Sequence, residues 1–213
     1  MDEGVVKKLD KFLQKYKTRK YKKGDILIRG GDEPGGLFFL KEGVVRQYII
    51  SFNGEEVTLN IFKPLSFFPM SWGINDSSNT YYFEAMNAVT VNIALKQDFL
   101  KFIKTEPDIL LDLVKRIYRG LDGYFIRMEY SMLGDARSRL IVELLIWAKR
   151  FGQKKGHSLT VNFKLTEKDL AAQIGIARET VSREIQKLKQ AGLIEFHKNI
   201  LVINNLEKLS DEL

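Results

Sequence analysis

The sequence has no cysteine and two histidines, His157 and His197, in 213 residues. Without thiols the chain forms no disulfide, holds no iron-sulfur cluster through thiolates, builds no Cys-containing zinc site and senses redox through no thiol of its own. A metal centre of the cupin kind needs clustered histidine ligands, and both histidines fall in the C-terminal part, where each reads as a turn residue. Neither a catalytic cluster, a metal site nor a cofactor is expected, so the chain is not read as an enzyme. Long apolar runs are also missing: none approaches the roughly 18 residues of a membrane span, and the opening MDEGVVKKLDKFL has no extended apolar core after its charges. A soluble, unprocessed, cytoplasmic protein without a membrane partner is expected.

Charge is present in excess of one sign. The net charge is +7, and residues 135–203 carry 13 Lys/Arg against 7 Asp/Glu, a net of +6, whereas residues 1–134 carry 20 against 17, a net of +3. A basic C-terminal region points to a polyanionic partner.

Val5, Val6, Leu9, Phe12, Leu13 and Tyr16 recur at helical spacing, so a short amphipathic helix opens the chain. From Tyr21 to about Leu95 the pattern changes to short β-rich runs, ILI, LFFL, VVRQYII, VTLNIF, TYYFEAM and VTVNIAL, punctuated by glycine-containing turns. Such runs predict a small barrel or roll. The basic run KTRKYKK, Lys17 to Lys23, reads as a solvated turn or an outlying DNA-backbone contact. A long helix follows, with Thr105 or Glu106 as cap and Pro107 in its first turn. Along it Leu110, Val114, Ile117, Leu121, Tyr124 and Met128 alternate in steps of four and three, the spacing of a seam between two helices, and a second stripe, Leu111, Tyr118, Phe125 and Met132, runs beside it. One stripe is expected to cover the roll and the other to face a second subunit; Gly120 and Gly123 weaken this helix. Gly134-Asp135 supplies a hinge and a new N-cap, which places the domain boundary between residues 133 and 134. After a further helix through Leu140, Ile141, Leu144, Leu145 and Ala148, GQKKGHS reads as a turn and Leu159, Val161 and Phe163 as a strand.

The segment LTEKDLAAQIGIARETVSREIQKLKQAGLIEFHKNILVI then reads as one unit. Thr166 caps a helix beginning at Glu167, with Asp169 at its third position; Gly175 turns the chain, and a second helix starts near Arg178. At about 100° per residue, Arg178, Glu179, Ser182, Arg183 and Gln186 span an arc of roughly 140°, opposite Val181, Ile185 and Leu188. The residues around His197-Lys198-Asn199 form a hairpin suited to be a wing. In a helix-turn-helix the second helix enters the major groove; Arg can read guanine and Glu can accept from cytosine. Arg178, Glu179 and Arg183 are the candidate base readers, Ser182 and Gln186 lie on the same face, Thr166 and Lys198 are further candidate DNA contacts, and His197 in the wing is a candidate phosphate contact.

Gly175 to Ile194, GIARETVSREIQKLKQAGLI, resembles the winged-helix signature of the CRP/FNR family of bacterial transcription regulators, and the glycine-spaced roll, the long helix beginning EPDILL and the hinge occur in the family's order. The resemblance implies an α+β fold: an N-terminal cupin-like jelly roll with a long dimerisation helix (residues 1–133) and a C-terminal winged helix-turn-helix (134–213). It implies a homodimer that reads a pseudo-palindrome in double-stranded DNA with the helix near 178–190, and RNA polymerase as a partner if the protein activates. Ala177 departs from the family, which commonly has Ser or Thr there, so a cap worth about 1 kcal/mol is absent.

Members that bind cyclic nucleotides carry a Gly-Glu pair for the ribose and an Arg-Ser or Arg-Thr pair for the phosphate. Here the Gly-Glu is missing and Asn79-Thr80 stands where the Arg pair would be. A non-cyclic-nucleotide effector, or none, is therefore expected; a cyclic-nucleotide-responsive regulator and an adaptor with a non-functional DNA-binding domain are the alternative readings. The aromatic-rich region including Phe67, Phe68, Trp72 and Tyr82 reads as core and subunit packing, or else, with Tyr124, as the lining of a pocket for an uncharged or aromatic effector.

Overall fold

A computed structural model describes residues 2–156 and 158–213. The chain divides into two compact units, Met1–Arg119 and Gly120–Leu213, and the division falls inside one continuous helix. Its elements run α1 (Glu3–Leu13), β1 (Thr18–Tyr21), β2 (Ile26–Ile28), β3 (Leu37–Glu42), β4 (Val45–Ile50), β5 (Glu56–Phe62), β6 (Phe67–Phe68), α2 (Met70–Asn75), β7 (Tyr82–Ala85), β8 (Val89–Ala94), α3 (Lys96–Thr105) and α4 (Pro107–Leu133). Then follow α5 (Ala136–Phe151), β9 (Gly152–Lys155), β10 (Ser158–Lys164), α6 (Glu167–Ile174), α7 (Arg178–Gln190), β11 (Ile194–His197), β12 (Ile200–Ile203) and α8 (Leu206–Ser210).

In the first unit two antiparallel four-stranded sheets, β1-β8-β3-β6 and β2-β7-β4-β5, make the roll. The run LFFL explains how its layers are filled. Successive side chains of a strand point to opposite faces. Leu37 and Phe39 join Val5, Leu9, Phe99, Ile103, Ile109 and Leu113 in a core between the first sheet and the helices, while Phe38 and Leu40 join Val45, Phe83 and Val91 in a second core. Both faces of β3 are therefore buried, and no polar residue interrupts its first four positions.

Two stretches differ from the sequence-based expectation, and a third, Lys96–Thr105, carries none. Lys17–Lys23 contains an edge strand, β1, paired with β8, because an edge position leaves one side of the strand to its charged side chains. Lys96–Thr105 forms α3, whose Phe99 and Ile103 are buried. Gly152–Lys155 forms β9 against β10 rather than a turn, and Gly156 supplies the left-handed residue at its end.

Helix α4 buries Ile109 and Leu113 in the roll-side core, and Lys8 pairs with both Glu106 and Asp108 at 2.7 Å. Neither predicted stripe covers the roll. Leu110, Val114, Ile117, Leu121, Tyr124 and Met128 are 38–59% exposed, and Leu111, Tyr118, Phe125 and Met132 are 53–75% exposed. The covering positions, Ile109 and Leu113, lie one residue before each of the seam's first two members.

In the second unit Asp135 caps α5 by accepting from the Ser138 N–H at 2.8 Å. The Arg127 guanidinium donates twice to Glu143, at 2.6 and 2.8 Å, and Glu143 is 1% exposed. Burial, and after it repulsion from Arg127, holds the Arg150 guanidinium below its ordinary range. Glu143 is thus the buried carboxylate that pairs with Arg127. Removing one partner of a buried pair leaves an uncompensated charge in a medium that solvates it poorly. Glu143→Ala is expected to lower the unfolding free energy of this unit by about 3–5 kcal/mol, measured by urea titration of Trp147 fluorescence in a Trp72→Phe background. Replacing Arg127 and Glu143 together by Met and Leu should recover most of that loss.

Candidate nucleic-acid interface

The sheet β11-β12-β10-β9 and helices α5, α6 and α7 form a winged helix-turn-helix. Helix α6 begins with a complete capping box. The Asp169 N–H donates to Thr166 Oγ1 at 3.1 Å, and the Thr166 N–H donates to the Asp169 carboxylate at 2.8 Å. Gly175 ends the helix with φ +67°, a left-handed conformation that a side chain would strain. Helix α7 then starts from Ala177, which makes no side-chain cap hydrogen bond. Its rotation is fixed by Val181, Ile185 and Leu188, each at most 1% exposed.

That rotation turns Arg178, Glu179, Arg183 and Gln186 outward, with Ser182 half-buried beside them, and all five line one open hollow. Arg183 donates to Thr180 Oγ1 at 3.2 Å. The wing is a tight hairpin: His197 pairs with Ile200 across Lys198 and Asn199, whose φ values of +50° and +66° are those of a type I′ turn. The Leu165 N–H donates to the Asn199 carbonyl at 2.7 Å, tying the wing tip to the start of the helix-turn-helix. Lys198 is exposed, and His197 Nε2 lies 2.8 Å from the Glu195 carboxylate. Thr166 is half-buried and its hydroxyl is engaged in the cap. His157 lies outside the described residues.

Sequence reasoning missed Glu167. Its carboxylate accepts from the Ser182 hydroxyl at 3.2 Å, and Arg178 Nε lies 3.9 Å from its other oxygen. An acid in a first helical turn is ordinary dipole compensation. Only the folded turn around Gly175 brings it against residues eleven and fifteen positions later.

The proposed effector residues of the roll do not all lie in one core. Phe67 and Phe68 are adjacent on β6 and face opposite sides of the sheet: Phe67, with Trp72, belongs to the helix-side core, and Phe68 stacks on Phe83 at 5.1 Å in the other. Trp72 is 8% exposed and donates its indole N–H to Glu33 at 2.8 Å. Tyr82 stacks on Tyr48 at 5.2 Å. Tyr124 lies on α4 in the other unit, 39% exposed. Asn79, at 5% exposure, donates to the carbonyls of Arg29 and Tyr81 and accepts from the Tyr81 N–H, so its amide closes its own loop.

A capped helix, a left-handed glycine turn, an outward polar helix face and a hairpin wing define a winged-helix DNA-binding protein. The family model for the Crp-like helix-turn-helix domain matches residues 138–212, and that for the cyclic nucleotide-binding domain matches residues 18–106. The chain is 25% identical over 196 residues to a global nitrogen regulator of Nostoc sp., covering 89% of this chain and 86% of that protein. It is 27% identical over 174 residues to the nitrogen fixation regulation protein FixK of Bradyrhizobium diazoefficiens, covering 82% and 72%. Among solved structures, a variant of CooA from Carboxydothermus hydrogenoformans shares the fold at a TM-score of 0.77 and 24% identity, over 100% of this chain and 92% of that one. A CRP/FNR-family transcriptional regulator from Thermus thermophilus does so at 0.72 and 24%, over 92% and 97%. The chain belongs to the CRP/FNR family and is a DNA-binding transcription regulator of that type.

Because the cap of α6 joins a side chain to the backbone at both ends, its loss should be felt in stability. Thr166→Ala is expected to destabilise the second unit by about 1 kcal/mol, read as a lower urea midpoint of the Trp147 transition.

Proposed function

We propose that two copies of this chain, in the cytoplasm, grip a pseudo-palindromic duplex whose half-sites lie about one helical turn apart. Each copy inserts the N-terminal half of α7 into the major groove. Arg178 and Arg183 donate to guanine, Glu179 accepts from cytosine N4, and Ser182 and Gln186 contact bases or phosphates beside them. Lys198 and His197 on the wing, with the start of α6 at Thr166, lie along the sugar-phosphate backbone. The observation that carries this reading is the outward polar face of α7, four of its five members exposed and none held in a buried ion pair.

The six-residue seam on α4 is the proposed dimer contact. Its exposed apolar side chains repeat at the spacing of a two-helix seam, and a second copy would bury them. The roll is proposed to respond to something other than a cyclic nucleotide, or to no ligand. Asn79 stands where the phosphate-binding Arg of cyclic-nucleotide receptors would be and spends its amide on its own loop, offering no cation to a phosphate. An effector would act by binding better to the dimers whose α7 helices are correctly spaced. If the regulator activates, RNA polymerase is its further partner.

Selection of duplexes from a randomised pool tests the reading. Arg183→Ala is expected to lose about 1–3 kcal/mol of discrimination at one guanine per half-site while remaining dimeric; an unchanged binding profile would remove its assigned role. Wild-type affinity should fall steeply with salt, as counterion release requires, and a flat dependence would argue against phosphate contact. Leu121→Asp places a charge in the seam and should yield monomers by light scattering. A persistent dimer would place the interface elsewhere.

A further inference from the structure

Glu167 is an acid on the surface that the reading above sets against DNA. It opens α6 and lines the same hollow as Arg178, Glu179, Ser182, Arg183 and Gln186. Its partners are both on α7: the Ser182 hydroxyl donates to Oε1 at 3.2 Å, and Arg178 Nε stands 3.9 Å from Oε2. The neighbouring acid, Asp169, is turned back onto the Thr166 backbone N–H and hydroxyl at 2.8 and 2.7 Å and so spends its charge inside the cap. Glu167 instead directs its charge at the first cation of α7. That side chain is 67% exposed, against 31% for Glu167, so the pair is solvent-screened and loose enough for Arg178 to move.

When a recognition helix enters the major groove, the preceding helix crosses the backbone. A carboxylate at the start of that preceding helix faces phosphates. There it competes with the phosphate for Arg178. Phosphate contacts strengthen binding to every sequence equally, whereas contacts to base edges discriminate. We propose that Glu167 is a specificity-determining residue: its carboxylate withholds Arg178 and Ser182 from the DNA backbone, weakening binding to arbitrary sequence and leaving Arg178 to the bases. This rests on the placement of α7 in the groove proposed above.

The test uses the full chain and two duplexes of equal length, one selected by the wild-type protein from a randomised pool and one of scrambled sequence. Their affinities are followed by fluorescence anisotropy across a salt series for the wild type, Glu167→Gln, Arg178→Ala and the double variant. Gln keeps an oxygen that accepts from Ser182 and removes the charge. One added phosphate contact steepens the salt dependence by about 0.9 and, near 0.1 M salt, strengthens binding by roughly three- to tenfold. Glu167→Gln is expected to do this on the scrambled duplex, to gain less on the selected one, and to lose most of its effect when Arg178 is Ala. Glu167→Ala should act in the same direction, and serves should the Gln variant unfold. An unchanged scrambled-duplex affinity, an equal gain on both duplexes, or a gain independent of Arg178 would overturn the proposal while the wild type still selects its site. A wild type that selects no duplex overturns the groove placement, and this proposal with it.

Discussion

Val181, Ile185 and Leu188 set the rotation of α7 about its own axis, and the outward polar face follows from that. Each is at most 1% exposed, and burying such a side chain stabilises by roughly 1.5–3 kcal/mol. Turning the helix by one residue, about 100°, would bring these three toward water and push Arg178 or Gln186 toward the core. A buried unpaired guanidinium costs more than the apolar contacts return. The opposition of the two faces therefore holds the polar one outward without any specific contact to aim it.

What remains is the position of the helix along its axis and its distance from its neighbours, and these are set by turns. Gly175, at a positive φ, folds α7 back onto α6. The capping box fixes where α6 starts, and the Leu165–Asn199 hydrogen bond ties that start to the wing. Behind them α5 is held to the C-terminal half of α4 by the Arg127–Glu143 pair. A chain of local devices thus runs from the long helix to the reading face within one compact unit.

The parts legible in the sequence are those in which one residue type has one physical use. Thr166 and Asp169 three positions apart, Gly175 after an apolar stretch, and Lys198-Asn199 between two apolar runs each became the element that their chemistry predicts. The roll was legible as a set of strands but not as a packing arrangement. LFFL and the Phe67-Phe68 pair are continuous apolar runs, and only the fold shows that alternate members enter different cores. This is why a pocket wall drawn through both phenylalanines does not hold. Strand β9 was hidden because Gly152, Gln153, Lys154 and Lys155 carry turn and surface composition; its strand state comes from pairing with β10, a tertiary effect. Glu167 was illegible for a similar reason, since its partners lie across a turn.

Helix α4 buries little of its own apolar surface. Of its 27 residues, Ile109 and Leu113 are the buried ones, both near the N-terminus. Gly120 and Gly123 each cost about 1 kcal/mol relative to Ala in an exposed helix. Two adjoining apolar stripes, one at seam positions and one a residue further round, continue through and beyond these glycines with most side chains near or above half exposure. A strict seam needs one stripe. The second widens the apolar face on the side a partner helix would approach, so a second copy would meet a broad surface rather than a line. A broad apolar face of this kind would let two helices shift against each other with less loss than interlocked knobs allow.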